Sequence, residues 1–548
     1  MPKYSIGIDY GTLSARAALA DVANGNVVAM SEPFDYPHGI MASLDGKELP
    51  DTYALQHPRD YTDALTALVP ALVKQSGVDP SDIVGLCIDF TACTVLPVDE
   101  NYVPLCYREE FAHHPLAYTK LWKHAGANKY AKRIEEIARN FGDMVKITGG
   151  ILSGEFMYPK IYETFIEAPH IYNAAYKFVN SGDYLATLLC GRSVHSIAYA
   201  TIKEHYDNAF GGGFPPREFF SRIDEGFADV LCKIGTELDA VGASCGTIVP
   251  EWAEKLGLSE NTHIATPIID AHGALGAAGI EDGKVVAALG TSAVVCALSS
   301  TKKFVPGIHS HGWGASAEGL MTFEAGIRAM GDMYSWFIKN CLPAEYEQKA
   351  REANMSTHAY LRSLAEKKAI GESGLIALDW WNGNRSVVPN DKLSGMLIGL
   401  RLSTKPEDIY RALIESTAFE LRRVCELYAE YGVKTERFVA TGGIANKDPM
   451  LMQILADVLD KEVGCLGSGE TTALGTSVWG AVAAGIYPTL EEASAKMKPP
   501  VTRTYVPVKE NVEQYEKLYE RYVELYDYFA HTNNVMEFLY NNKHKKEN

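Results

Sequence analysis

Two stretches of the same design, far apart in the chain, constrain the fold more than anything else in its 548 residues. The first is Ile6-Gly7-Ile8-Asp9-Tyr10-Gly11-Thr12-Leu13-Ser14-Ala15-Arg16. An apolar strand over 4–8 delivers Asp9 to its end, a glycine turn follows, and a second strand over 17–20 leads away. Gly11 lets backbone N–H groups approach an anion closely. The hydroxyls of Thr12 and Ser14 can donate to phosphate oxygens, Arg16 adds a cation, and Asp9 can hold Mg²⁺ through water. Taken alone, the same residues make an ordinary β-hairpin turn. The second stretch, Val285-Val286-Ala287-Ala288-Leu289-Gly290-Thr291-Ser292-Ala293-Val294-Val295, repeats the arrangement. Two strand–Gly-Thr–strand hairpins, one in each half, point to two related domains that face a shared phosphate.

A chain of this length exceeds a single core, so two large domains are expected. The formal net charge of −18 argues against a nucleic-acid partner or an anionic membrane surface. A phosphate site must then rely on glycine-loop amides and a few local cations. No apolar run is long enough to span a bilayer, and the N-terminus lacks a signal-peptide pattern. The ten cysteines include no C-x-x-C pair, and read as reduced thiols of a cytoplasmic protein.

The candidate base lies just ahead of the second hairpin. In Thr266-Pro267-Ile268-Ile269-Asp270-Ala271-His272-Gly273-Ala274-Leu275-Gly276 an apolar strand places Asp270 at its end, and small residues then allow a tightly packed helix. Phosphoryl transfer to an alcohol needs a carboxylate that orients the hydroxyl and takes its proton. An N-cap aspartate is the common alternative; beside two phosphate hairpins, the base is the better reading. A third glycine turn, Thr441-Gly442-Gly443-Ile444-Ala445-Asn446, joins a strand to a helix, where missing side chains admit a flat ring or a phosphate. Helical spacing predicts helices over 59–75, 115–139, 406–431 and 512–540, with a frayed basic tail beyond 540. Gly211-Gly212-Gly213-Phe214-Pro215-Pro216 is no phosphate loop, because prolines lack N–H donors. His113-His114 and His309-Ser310-His311 lack convincing partner ligands and are not read as metal sites.

The ordered set of motifs resembles the FGGY carbohydrate kinases, from the first hairpin to about residue 500. The resemblance implies an α/β fold: two ribonuclease-H-like domains of the actin-like ATPase type, closing over an interdomain cleft. Residues 1–275 would form an N-terminal domain that binds sugar and carries the first hairpin. Residues 276–500 would form an ATP-binding C-terminal domain, and 501–548 a terminal helix and tail. MgATP would be held at its phosphates by Gly11, Thr12, Ser14, Arg16, Gly290 and Thr291, with Asp9 toward Mg²⁺. The adenosine would meet Gly442, Gly443 and Asn446. Asp270 would be the catalytic base. Ala92, Lys203, Asp270 and Glu324 would line the sugar pocket.

Thr91-Ala92-Cys93-Thr94, Phe323-Glu324-Ala325-Gly326 and Leu378-Asp379-Trp380-Trp381-Asn382-Gly383-Asn384-Arg385 are most similar to the branch of the family that phosphorylates L-ribulose at C5. Two departures stand out. That branch carries Gly-Tyr-Lys-Ala where this chain has Ala198-Tyr199-Ala200-Thr201, so the nearest lysine is Lys203. Ile327-Arg328 replaces the usual small polar pair. Lys160 stands in a Pro-Lys pair that resembles the family's helix start near the domain core; a solvated first-turn residue is the alternative, and no catalytic role is read for it. Other acceptors (D-ribulose, D-xylulose, a polyol) stay open on this reading, as do a non-enzymatic actin-like switch and a sugar-binding regulator. A homodimer is compatible with the reading and not required by it.

Overall fold

The computed structural model describes residues 1–467 and 471–544. Two mixed sheets of the same topology carry the chain. In the first, β1 (Tyr4–Tyr10), β2 (Ser14–Asp21) and β3 (Val27–Met30) form an antiparallel meander. β4 (Ile83–Phe90) then adds parallel to β1, and β5 (His263–Ala265) and β6 (Ile268–Ile269) add parallel to β4. In the second, β7 (Lys284–Leu289), β8 (Ala293–Ser299) and β9 (Met321–Ile327) form the meander. β10 (Arg437–Thr441) adds parallel to β7, and β11 (Val463–Leu466) adds parallel to β10. A three-stranded meander extended by parallel strands is thus built twice, which is the doubled ribonuclease-H-like architecture. The central strands are apolar on both faces because helices cover both sides.

The register of the first sheet matters for chemistry. Asp9 on β1 lies beside Asp89 on β4, and Ile268 on β6 pairs with Asp89. Parallel strands in register end together, so Asp9, Asp89 and Asp270 collect at one edge. Asp270 opens helix α1 (Asp270–Ala278).

A helix from late in the chain completes the first core. Helix α2 (Thr471–Ala483) puts Leu474, Val478 and Trp479 among the core residues of the first sheet. It comes so close because glycines face backbone on both sides. A Cβ on Gly7 would lie 2.0 Å from the Ala473 carbonyl oxygen, and one on Gly85 would lie 2.1 Å from that of Gly480. The α1–α2 crossing is equally tight, since a Cβ on Gly475 would lie 2.0 Å from the Gly273 oxygen. A third core, with Phe156, Tyr158 and Phe220, fills a smaller unit inserted into the first half.

Several local expectations change. Over 115–139 the helix starts only at Asn128; Pro115–Ala117 is a 3₁₀ turn and Thr119–Lys120 a short strand bonded to Leu55–Gln56. Residues 501–548 are not simply helix and tail, because Val501–Tyr505 forms an edge strand on β11. The helix expected over 512–540 is two, α3 (Lys509–Asp527) and α4 (Val535–His544), separated by a π-turn. The tail expected to fray remains helical through His544; 545–548 lie outside the described residues.

Candidate active site

Each hairpin turn closes on its own backbone. The Gly11 N–H donates to the Ser14 carbonyl at 3.0 Å, and the Gly290 N–H to the Ser292 carbonyl at 2.9 Å. Those two amides are therefore spent on the hairpins, which leaves phosphate contacts to neighbouring amides and hydroxyls. The first turn is braced by Gln56 Nε2 on the Thr12 carbonyl (2.7 Å) and Trp122 Nε1 on Thr12 Oγ1 (3.1 Å). The second is braced by the N-terminus of the helix Gly331–Cys341: Gly331 N–H reaches the Gly290 oxygen and Asp332 N–H the Thr291 oxygen. Thr291 is exposed.

Beside the second hairpin stands the third glycine turn, because β7 and β10 are parallel neighbours with Ala288 opposite Thr441. Gly442 has φ +96°, and a Cβ there would lie 2.6 Å from the Leu289 oxygen, so glycine is required on two counts. Around a Cβ on Gly443 the space is open. Asn446 is exposed and donates back to the Gly442 carbonyl at 3.2 Å.

At the strand ends, burial and then the charge of Asp9 push the Asp270 carboxyl up to about 7. Asp89 is fully buried, and burial followed by Asp9 raises it well above the usual carboxylate range; Thr476 Oγ1 on α2 donates to its Oδ2. Sequence reading passed over Asp89. The signal was present, since Cys87-Ile88-Asp89-Phe90 repeats Gly7-Ile8-Asp9-Tyr10 in the neighbouring strand.

A charged pocket forms where both halves meet. Glu324 comes from β9, and Lys203 from the helix Ile197–Lys203, whose N-cap Ser196 bonds the Pro267 carbonyl just ahead of β6. Lys203 Nζ is 2.5 Å from His309 Nε2 and 4.5 Å from the Phe156 ring centroid. Burial lowers the Lys203 ammonium, while Glu155 and Glu324 oppose that shift. Burial and the Lys203 charge hold His309 down at about 3, so its ring is neutral. Burial opposes ionisation of Glu324, yet the nearby His272 and the Lys203 charge hold its carboxyl below the usual range. His272 is 3.6 Å from Glu324 and bonds Ser316 through Nδ1 at 3.0 Å. Lys203 therefore lies beside Glu324 despite the altered lysine segment. Ala92 lies in the turn after β4, where Thr91 and Thr94 hydroxyls bond each other at 2.7 Å. His309 and Glu155 join this pocket, a placement their isolated sequence positions did not announce.

Lys160 is not solvated. It is fully buried, and its Nζ donates to the carbonyls of Cys93 (2.6 Å), Leu121 (2.9 Å) and Trp122 (3.2 Å). It braces the backbone around the Ala92 turn.

A doubled ribonuclease-H-like fold with two strand–Gly-Thr–strand hairpins and an aspartate at the strand ends is that of the actin-like ATPase group. The FGGY carbohydrate kinase N-terminal domain matches residues 4–276, and the C-terminal domain of the same family matches 285–484. The chain belongs to the FGGY family of carbohydrate kinases and is a carbohydrate kinase. It is 40% identical over 537 residues to a ribulokinase of Bacillus licheniformis, spanning 96% of this chain and 97% of that one. It is 39% identical over 552 residues to a ribulokinase of Halalkalibacterium halodurans, spanning 98% and 97%. Among solved structures it is similar to a xylulose kinase from Rhodospirillum rubrum (TM-score 0.79, 22% identity, 96% of this chain and 98% of that one). A gluconate kinase from Lactobacillus acidophilus is similar too (TM-score 0.80, 18% identity, 97% and 99%). At those identities the structural likeness speaks for the fold alone. No helix among the described residues is long and apolar enough to cross a membrane.

Proposed function

We propose that the chain transfers the γ-phosphoryl group of ATP to the C5 hydroxyl of L-ribulose, giving L-ribulose 5-phosphate and ADP. The carrying observation is Asp270, held at the strand ends beside Asp9 and in the electrostatic field of Glu324. The two ribulokinases of near-equal length support the choice of sugar.

In this reading the ketose lies against Ala92, Lys203 and Glu324. Glu324, kept ionised, accepts hydrogen bonds from sugar hydroxyls, and Lys203 donates. Asp270 accepts the C5 hydroxyl proton as the oxygen bonds to the γ-phosphorus and the bond to the β-bridging oxygen breaks. A carboxyl poised at about 7 holds that proton better than an ordinary aspartate. Thr12, Ser14, Arg16, Thr291 and the amides next to Gly11 and Gly290, whose own N–H groups close the hairpins, hold the phosphates; Gly442, Gly443 and Asn446 meet the adenosine. Asp9 and Asp270 are hard oxygen donors, and no cluster of three or more metal-ligating side chains occurs among the described residues. That set suits Mg²⁺, which keeps most of its waters and takes one or two carboxylates plus phosphates. When bound, Mg²⁺ neutralises phosphate charge. Closure of the halves excludes water as a competing acceptor.

The test is ADP release from MgATP with L-ribulose, D-ribulose, D- and L-xylulose, glycerol and no sugar. A strong preference for L-ribulose is expected. Preference for another acceptor overturns the substrate assignment, and sugar-independent hydrolysis overturns the transfer reaction itself.

A further inference from the structure

A loop whose other side is held by the end of the chain bonds to the end of β9, beyond Glu324, and to the turn that leads into His309. The loop runs over 384–394. Its base is pinned by paired backbone bonds between Asn384 and Asn390, at 3.0 and 2.9 Å. Toward Glu324 and His309 it grips β9 and the turn before His309. Ser386 Oγ accepts from the Gly326 N–H at 2.8 Å, two residues past Glu324. Val387 N–H donates to the Gly307 carbonyl at 2.5 Å, two residues before His309. Asp391 pairs with Arg328 at 2.5 Å. Arg385, in the same loop, exerts its charge on Glu155, Lys203 and His309.

Val387 sits at φ +66°. A β-branched residue adopts that conformation only where its surroundings over-determine it. The surroundings on the far side are α3 and α4, beyond the stretch matched by the family's C-terminal domain, which ends at 484. Tyr526 OH accepts from Asn384 Nδ2 at 2.6 Å and lies 3.4 Å from the Ser386 carbonyl. Its ring meets Trp380 edge-on at 4.9 Å. On α4, Met536 Sδ accepts from the Ser394 N–H, and Glu537 pairs with Lys392.

We infer that Tyr526 is a positioning residue for the acceptor pocket: through Asn384 and Ser386 it fixes the 384–394 loop, and the loop fixes Arg385, the end of β9 beyond Glu324 and the turn before His309. This rests on the proposed reading that the pocket takes the sugar. The nucleotide turns at Gly290 and Gly442 make none of these contacts, so the effect should fall on one substrate only.

The test uses the full chain with Tyr526→Phe, which keeps the ring and deletes the hydroxyl. Losing one buried hydrogen bond at the loop should raise KM for the preferred acceptor roughly five-fold. KM for ATP and kcat should each stay within about two-fold by the same argument. Glu537→Gln, at a half-exposed site, tests the same support with little risk to folding, and should shift acceptor KM in the same direction by less. An unchanged acceptor KM in both variants, with an active wild type, overturns the inference alone. So does a parallel loss in kcat and both KM values that tracks a lowered Tm, which marks a merely structural role. If Tyr526→Phe fails to fold, Glu537→Gln decides. A wild type that phosphorylates no sugar overturns the pocket reading first, and this inference with it.

Discussion

Gly475→Ala should damage catalysis from a position that touches no substrate. The new Cβ would lie 2.0 Å from the Gly273 oxygen, 2.8 Å from the Ala277 nitrogen and 3.0 Å from the Gly273 carbonyl carbon. All three are backbone atoms, so no rotamer change relieves the clash, and α1 and α2 must part by roughly 1 Å to restore normal contact. Overpacking of this kind costs about 1–3 kcal/mol, against a helix-propensity gain of about 1 kcal/mol for replacing glycine by alanine. Net destabilisation is then modest, about 0–2 kcal/mol. The larger effect is geometric. Asp270 opens α1, three residues before Gly273, and a displacement near 1 Å at a reacting group costs on the order of 100-fold in rate. Steady-state kcat with ATP and the best acceptor, read beside Tm, tests this. Gly464→Ala is the control, since its Cβ meets nothing nearer than Val501 at 3.4 Å. Wild-type kcat in Gly475→Ala, whatever its Tm, would refute the link between the helix crossing and the base.

Asp270→Asn should lose phosphoryl transfer by roughly 100-fold or more while still binding ATP, measured by rapid quench and by nucleotide titration. Gly442→Ala, which meets both the positive φ and the Leu289 oxygen, should raise KM for ATP well above any change in acceptor KM. Stability should fall between about pH 6.5 and 8.5. Burial pulls the His195 imidazole down, but Glu204, 2.8 Å away, more than offsets this and holds it at about 8. Its contribution of about 2 kcal/mol is complete below its unfolded pKa and lost as pH rises through the folded one. Asp183, which burial raises to about 8, adds a separate fall that starts near pH 4, where the unfolded carboxyl ionises, and is complete by about pH 8. Urea melts at pH 6 and 9 should show the fall, and His195→Gln should flatten it; an equal slope in the variant would rule out this histidine.

Much of this was legible because it is local. A hairpin such as Gly11 to Ser14 is closed by a bond between near neighbours, and its strand–Gly-Thr–strand pattern repeats wherever the fold repeats. Sites assembled across the chain were less legible. Glu155, His309 and Glu324 meet only because an inserted unit, the connection between β8 and β9, and β9 itself converge. Lys160 looked solvated because nothing near it in sequence tells that three carbonyls of distant segments surround its ammonium. Asp89 was visible as a pattern but lost among strand residues, since its significance lies in its register with Asp9. The helix expected over 115–139 began late because two short elements, bonded to partners outside the window, preceded it.

The glycine-lined seat of α2 also bears on how such a molecule can move. A helix that follows the second sheet in sequence supplies core to the first, so the passage from one half to the other near residue 280 is no simple tether. The halves are interleaved, and the α1–α2 contact lies at the passage between them. There the bearing surfaces are peptide groups rather than flexible side chains, with Gly273 against Gly475. Asp270 rides on the same short helix. On the proposed role of Asp270, the crossing that joins the halves and the mount of the reacting carboxylate are thus one part, and a shift at the crossing is at once a shift in where the acceptor's proton can go.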